Sequence, residues 1–188
     1  MTRTIQLLYD LPIDSTMGVS MYFQAVAQLA RTLRALEAWL DKAEKHAAAK
    51  DFDMAVLLNG RLAPDMQPLI YQVQSACDYV KAAAGWLSGQ KPPSHADTER
   101  DLPEVRARIA KTLAFVESIE EGRYIGASER RVALPWKPGK VLAGQDYLLQ
   151  IIEPNVHFHL SMAYAILRHN GVAIGKSDYL GVVDWLDA

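Results

Sequence analysis

Apolar residues recur every three or four positions over four long stretches of the chain, and clusters of proline, glycine and asparagine separate them. From about Met21 to His46, Val26, Leu29, Leu33, Leu36 and Leu40 fall on one line of a helix, while Arg31, Arg34, Asp41 and Lys42 fall elsewhere. Ser20 is the expected N-cap, because its hydroxyl can accept a bond from an orphan backbone N–H. A short helical turn near Met54–Leu58 precedes Asn59-Gly60, a turn signal. Pro64 suits the first turn of a second long helix, from about Asp65 to Leu87, with Leu69, Ile70, Val73, Cys77, Val80 and Ala84 as its core stripe. Gly89 to Ser94, with two prolines, reads as a loop.

The third helix is expected from about Leu102 to Glu120. Asp101 caps it, Pro103 sits where proline is tolerated, and Glu104 completes a capping box. Val105, Ile109, Leu113, Val116 and Ile119 form its buried stripe, and Gly122 stops it. Residues 129–142, ERRVALPWKPGKVL, place short apolar runs on either side of Lys137-Pro138-Gly139 and predict a small β-hairpin. The fourth long helix runs from about Gln145 to Arg168 and ends at Asn170-Gly171. Pro154 lies inside it and should kink it or break its backbone ladder. The following segment, to Ala188, is expected to pack back through Tyr179, Leu180 and Trp185. Residues 1–18 precede the first helical pattern and read as an N-terminal extension, with Ile5–Tyr9 a short strand or extended tail. Residues 19–188 then form one domain. Four amphipathic helices bury their stripes against one another most simply as an all-α four-helix bundle, and the long connections before the second and fourth helices permit a non-sequential order.

Composition adds exclusions. The chain has 188 residues, 50% hydrophobic and 22% charged, with a formal net charge of -2, an ordinary globular mixture without the basic excess of a nucleic-acid-binding surface. The one cysteine, Cys77, rules out an internal disulfide and a Cys-rich metal site. No apolar run reaches the length of about 18 residues that a membrane span needs, and Asp10 and Asp14 interrupt anything like a signal peptide. A bacterial-type cytoplasmic protein with no nucleic-acid or membrane partner is the expectation.

Candidate chemistry is sparse. The motifs HExxH, CxxC, GxxxxGK[ST] and GxSxG are missing from the sequence. On the fourth helix, Leu148, Ile152, Asn155, His159, Met162, Ala163 and Ile166 share one line, which aims Asn155 and His159 at the bundle interior one turn apart. Gln74 and Asp78 stand at the edge of the second helix's stripe as their prospective partners. The four are either a satisfied hydrogen-bond network that fixes helix register or a pocket for a small molecule or a metal ion. Arg61 and Asp65, four residues apart at the start of the second helix, are either a capping ion pair or an anion clamp. Cys77 lies on a core stripe, where a thiol without a cationic neighbour is inert. The four tryptophans read as packing residues.

Two long motifs carry a resemblance: LLNGRLAPDMQPLIYQVQSACDYVK (57–81) and PNVHFHLSMAYAILRHNGVAIGKSDYLG (154–181). With SMYFQAV and LDKAEKHA in the first helix, they resemble bacterial family nineteen-ninety-three of the domain-of-unknown-function series, over about residues 19–181. That family is similar to the wider DinB/YfiT-like superfamily. The resemblance implies a four-helix bundle, a divalent metal (Zn, Ni or Mn) held by three histidines, homodimers formed through helix faces, and in some members thiol-dependent transferase or isomerase chemistry. The superfamily's fourth helix carries a His-x-x-x-His pair some nine residues before a Leu-Arg. Counting back from Leu167-Arg168 puts the second histidine on His159 and the first on Asn155. The remaining one belongs on the second helix, which has no histidine between Asp65 and Leu87. One of three donors matches, and Asn155 with Gln74 or Asp78 would be an oxygen-rich replacement. The expectation is therefore a DinB-like bundle with a degenerate metal site at His159 and Asn155, acting as a small-ligand-binding or interaction module. The alternative is a divalent-metal-dependent transferase or isomerase acting on a thiol or small electrophile.

Overall fold

The computed structural model describes residues 20–187; the extension at residues 1–18, with its strand or tail at Ile5–Tyr9, lies outside them. Helix α1 (Met21–Ala49) buries the line its spacing predicts, together with Trp39. Ser20 precedes it but its hydroxyl caps nothing. Its backbone N–H instead donates to Glu121 Oε1 at 2.9 Å, so a contact distant in sequence fastens the helix start. Helix α2 (Met54–Leu58) is the expected short turn, capped by Asp53, whose carboxylate accepts from the Ala55 N–H at 2.7 Å.

Helix α3 (Leu69–Ser88) begins four residues later than the sequence pattern suggests. The cause is Pro68, which stands at the N-cap: the residue before a proline is pushed out of the α region, so Gln67 cannot be helical. Helix α4 (Leu102–Glu117) starts at its predicted cap, with the Asp101 carboxylate accepting from the Glu104 N–H at 2.9 Å. Glu104 reaches back to the Arg100 N–H at 2.7 Å, one residue beyond a capping box. Two short 3-10 turns follow, at Glu121–Tyr124 and Ala127–Glu129. Strands β1 (Arg131–Ala133) and β2 (Val141–Ala143) then form the expected antiparallel hairpin, with Val132 opposite Leu142.

The last long helix is continuous but not uniform. Helix α5 (Gly144–Asp146) runs into a π-helical turn at Tyr147–Ile152, which runs into α6 (Glu153–His169). Pro154 has no N–H and its ring opposes the carbonyl four residues back, so an α ladder cannot pass it; the wider turn relieves the clash. The widening also rotates the buried face. The core residues are Tyr147, Leu148, Ile152, Val156, His159, Leu160, Ala163, Ile166 and Leu167. Asn155 and Met162, expected on that face, are half-buried at its flank.

Four helices make the bundle. α4 and α6 lie on either side of both α1 and α3, and α1 and α3 meet across the middle. The order is therefore non-sequential, as the long connections permit. After α6, Val172 and Ile174 are buried, and helix α7 (Lys176–Leu180) packs on α1. Tyr179 stacks on Trp39 at 5.4 Å between ring centroids, and the Trp39 indole N–H donates to the Asp178 carbonyl at 2.8 Å. Leu180 and Trp185 do not pack back as expected: they are 56% and 86% exposed. Among the described residues no helix is long and apolar enough to cross a membrane.

Gly144 is where the hairpin meets the last long helix, and a Cβ there would fall on the Ala127 carbonyl oxygen. Gly144→Ala should destabilise the protein by at least about 2 kcal/mol, an overpacking cost against rigid backbone. Gly122→Ala, where nothing stands within 4 Å of the new methyl, should stay within about 0.5 kcal/mol of the parent. Urea unfolding of both variants checks the pair.

Candidate functional site

α6 delivers His159 to the core face two turns beyond the π-helical segment, with the ring 8% exposed. Its Nδ1 lies 2.9 Å from Gln72 Oε1 on α3. The Gln72 amide is itself oriented, because its Nε2 donates to the Gln67 carbonyl at 3.0 Å. The oxygen is thus the atom offered to the imidazole, which assigns the proton to Nδ1 and the lone pair to Nε2. Among the described residues no hydrogen-bonding group meets Nε2.

Three aromatic rings enclose the imidazole. Tyr79 stacks on it at 5.7 Å and 20°, and Tyr71 and Phe158 meet it edge-on at 6.1 and 5.3 Å. Tyr71 and Phe158 are 39% and 54% exposed, so this end of the site is at the surface. Burial holds the His159 pKa below its ordinary 6.5, which keeps the ring neutral at neutral pH. A neutral imidazole with a fixed tautomer can accept a hydrogen bond or a proton at Nε2.

The other residues expected beside His159 are elsewhere. Asn155 is one turn away, but its amide nitrogen donates to the Ile151 carbonyl at 2.6 Å, on its own helix beside the π-helical turn. Gln74 and Asp78 project from another side of α3. Gln74 Nε2 donates to Glu99 Oε2 at 3.0 Å, and Asp78 accepts from Arg108 at 2.8 Å and Lys81 at 2.6 Å. Arg61 donates to the Met66 carbonyl, both Arg61 and Asp65 are exposed, and the helix they were to guard begins only at Leu69. Neither a clamp nor an ion pair forms between them, because the Pro68 boundary moves the helix start out of reach. The Cys77 thiol is pushed up to about 12 by burial and is inert.

Reasoning from the pattern missed Gln72, Tyr79 and Tyr71. The signal was available in part: Gln72 and Tyr79 are seven residues apart and share a line of α3, whereas Gln74 lies about 200° from Gln72 around the helix. The donor set also decides the metal question. Among the described residues no group of three or more His, Cys, Asp or Glu side chains is placed to hold a metal ion. With Asn155 turned to its own backbone and Gln74 and Asp78 committed to α4 and its loop, His159 is left as a single donor. A Zn, Ni or Mn ion held by three protein donors does not fit these residues.

The cluster that takes Gln74 and Asp78 is structural. Arg108 on α4 is fully buried. It donates to the Ala96 carbonyl at 3.0 Å, to Glu99 at 3.1 Å, to Asp78 at 2.8 Å and to Asp97 at 3.0 Å. One guanidinium thereby ties residues 96–99 of the loop across α3 and α4. Arg108→Met should cost about 3–5 kcal/mol, the penalty for leaving the buried Glu99 carboxylate with only the exposed Lys111 at 3.6 Å, while Asp78 keeps Lys81. Chemical denaturation measures the loss, and a cost under 1 kcal/mol would refute the pinning role.

The comparisons bear on the fold and the family. A solved structure described as a DinB family member protein from Shewanella denitrificans is 43% identical to this chain and superposes with a TM-score of 0.85, covering 89% of this chain and 95% of that one. No curated protein matches the chain. The fold is a DinB-like helical bundle with a small hairpin before its last long helix. Residues 21–180 match the family described as Domain of unknown function (DUF1993), and the chain belongs to that family.

Proposed function

We propose that the protein is a small-ligand-binding module, and that its ligand brings a hydrogen-bond donor on a flat or apolar body to His159. One observation carries the reading: Gln72 fixes the His159 proton on Nδ1, which leaves Nε2 as an acceptor among Tyr71, Tyr79 and Phe158. Apolar walls with one oriented polar group are the usual make-up of a small-molecule site. Among the described residues no serine, cysteine or carboxylate is hydrogen-bonded to the imidazole, which favours binding over turnover. The bacterial, cytoplasmic setting suggested by composition suits such a role.

A second reading keeps the DinB-like neighbour in view: a divalent-metal-dependent transferase or isomerase acting on a thiol or small electrophile. It would leave the metal with His159 as its one protein donor, against the three or four that catalytic sites usually supply.

Phenol is a suitable probe, since it offers one O–H donor and one ring. In ring-nitrogen NMR at pH 7.5, phenol should shift the His159 Nε2 resonance saturably. The response should vanish in His159→Phe and weaken in Gln72→Leu, where the tautomer is no longer fixed. Binding should also fall as the pH drops below 6.5 toward the lowered pKa of His159, because the protonated ring has no lone pair to offer. An unchanged phenol response in His159→Phe would sink the proposal.

Elemental analysis separates the metal reading. Protein purified without chelator and then offered Zn, Ni or Mn should hold far less than one equivalent, and His159→Ala should hold as much as the parent. One equivalent bound by the parent and lost in the variant would instead favour the enzyme.

A further inference from the structure

The formal charge of -2 averages over an uneven chain. Residues 130–145 hold four of the 20 lysines and arginines and none of the 22 aspartates and glutamates, so this stretch carries +4 and the rest carries -6. It is the stretch that forms the hairpin of β1 and β2. Arg130 is spent at the hairpin's base, donating to the Leu87 carbonyl and, at 3.1 Å, to the Ile125 carbonyl. Arg131, Lys137 and Lys140 are exposed, and none of them enters an ion pair among the described residues. Cations elsewhere on the surface, such as Arg34 and Lys42, are paired.

The hairpin is seated so that one face looks inward and the other outward. Val132 and Leu134 are buried in the core, while Arg131, Ala133, Val141 and Ala143, paired across the strands, are exposed together on the opposite side. Two tight turns close the tip: the Lys137 N–H donates to the Leu134 carbonyl at 3.0 Å, and the Lys140 N–H to the Lys137 carbonyl at 3.1 Å. Pro138 and Gly139, the latter at φ +74°, fill the second turn, where a proline followed by a left-handed residue fits. Trp136 stands in the first turn, 58% exposed. An indole and two ammonium groups are thus confined to a short connection whose ends pair as Ala133 with Val141.

We propose that this face docks the protein on an anionic lipid surface, with Trp136 in the headgroup layer and Arg131, Lys137 and Lys140 against the lipid phosphates. Charge complementarity selects the partner. Each lysine or arginine brought to such a surface strengthens binding roughly fivefold, so three give on the order of a hundredfold. The -6 carried by the rest of the chain is repelled, which sets the orientation. A tryptophan suits the lipid–water boundary, since its ring is apolar and its N–H can stay wet. Single-stranded nucleic acid would also attract the cations, but its binding platforms align several aromatic rings with successive bases. Here one ring stands among Pro135, Pro138 and Val141, aliphatic neighbours that suit acyl chains.

Flotation of the full chain with lipid vesicles tests the proposal. At low salt the parent should bind vesicles containing about 30% phosphatidylglycerol at least tenfold more tightly than pure phosphatidylcholine, and high salt should release it. Lys137→Glu with Lys140→Glu should weaken binding at least tenfold. Lys45→Glu with Lys50→Glu, the same charge change on exposed positions of α1, should leave it within about twofold. Brominated lipid should quench the parent's tryptophan fluorescence, and Trp136→Phe should abolish most of that quenching. A parent that does not prefer the anionic vesicles overturns the proposal. So does an equal loss in the α1 control, which would make net charge the whole cause, and so does quenching that survives Trp136→Phe, which would mean that another indole inserts. Binding to a labelled oligothymidylate that the hairpin reversal abolishes, with none to vesicles, would reassign the face to nucleic acid.

Discussion

Burying α3 on nearly every side is the constraint from which the rest of the arrangement follows. Leu69, Val73, Ala76, Cys77, Val80, Ala83, Ala84 and Leu87 are all within 1% of full burial, and α1, α4 and α6 surround the helix. A helix so enclosed cannot leave a polar side chain without a partner, because an unsatisfied buried group costs about 1–3 kcal/mol. Yet α3 also buries Gln72, Gln74 and Lys81. Each therefore dictates something on a neighbour. Gln72 requires an acceptor and a donor, and finds the Gln67 carbonyl and the His159 ring. Gln74 finds Glu99, which Arg108 in turn holds. Lys81 finds Asp78. The candidate site and the loop-pinning cluster are two answers to one problem, on different sides of one helix.

The parts of this fold that are legible in the sequence are those set by local chemistry. Asp101 caps its helix because a carboxylate can reach an N–H three residues on, whatever lies beyond. The turn at Lys137-Pro138-Gly139 and the apolar line of α1 are likewise local. Two boundaries were not legible for an equally definite reason: two signals competed. Pro64 and Pro68 both offer a helix start, and only the restriction on Gln67 decides between them. Pro154 announces a disturbance, but not whether the helix bends or widens. The widening matters more, since it turns Val156 and Leu160 inward and moves Asn155 and Met162 to the flank.

His159 was legible as a buried polar residue because its position tolerates that rotation. Its partner was not. Periodicity ranks Gln72 and Gln74 alike as polar residues bordering an apolar stripe, and nothing local says which neighbour each will face. The same limit applies to Asp78, which looks like a pocket residue until Arg108, thirty positions later, is brought against it. Leu180 and Trp185 fail differently: their apolar character argues for burial, and the described fold leaves them exposed.

The Gln72–His159 pair has the form of a metal ligand's support without the metal's other donors. A ligating histidine characteristically donates one ring N–H to an oxygen and presents the other nitrogen outward, which is the arrangement here. Such orientation is useful to a metal only when two or three further donors converge on the same point. Here the position one turn before His159 holds an asparagine committed to the Ile151 carbonyl, and α3 contributes Gln72 and Tyr79 in place of a histidine. What the orientation still provides is an uncharged acceptor, held neutral by burial, whose lone pair points in one direction among aromatic faces. That is enough to recognise a donor group on a small molecule. Lewis-acid activation would need a metal held at that point, and the side chains that would hold it are turned elsewhere.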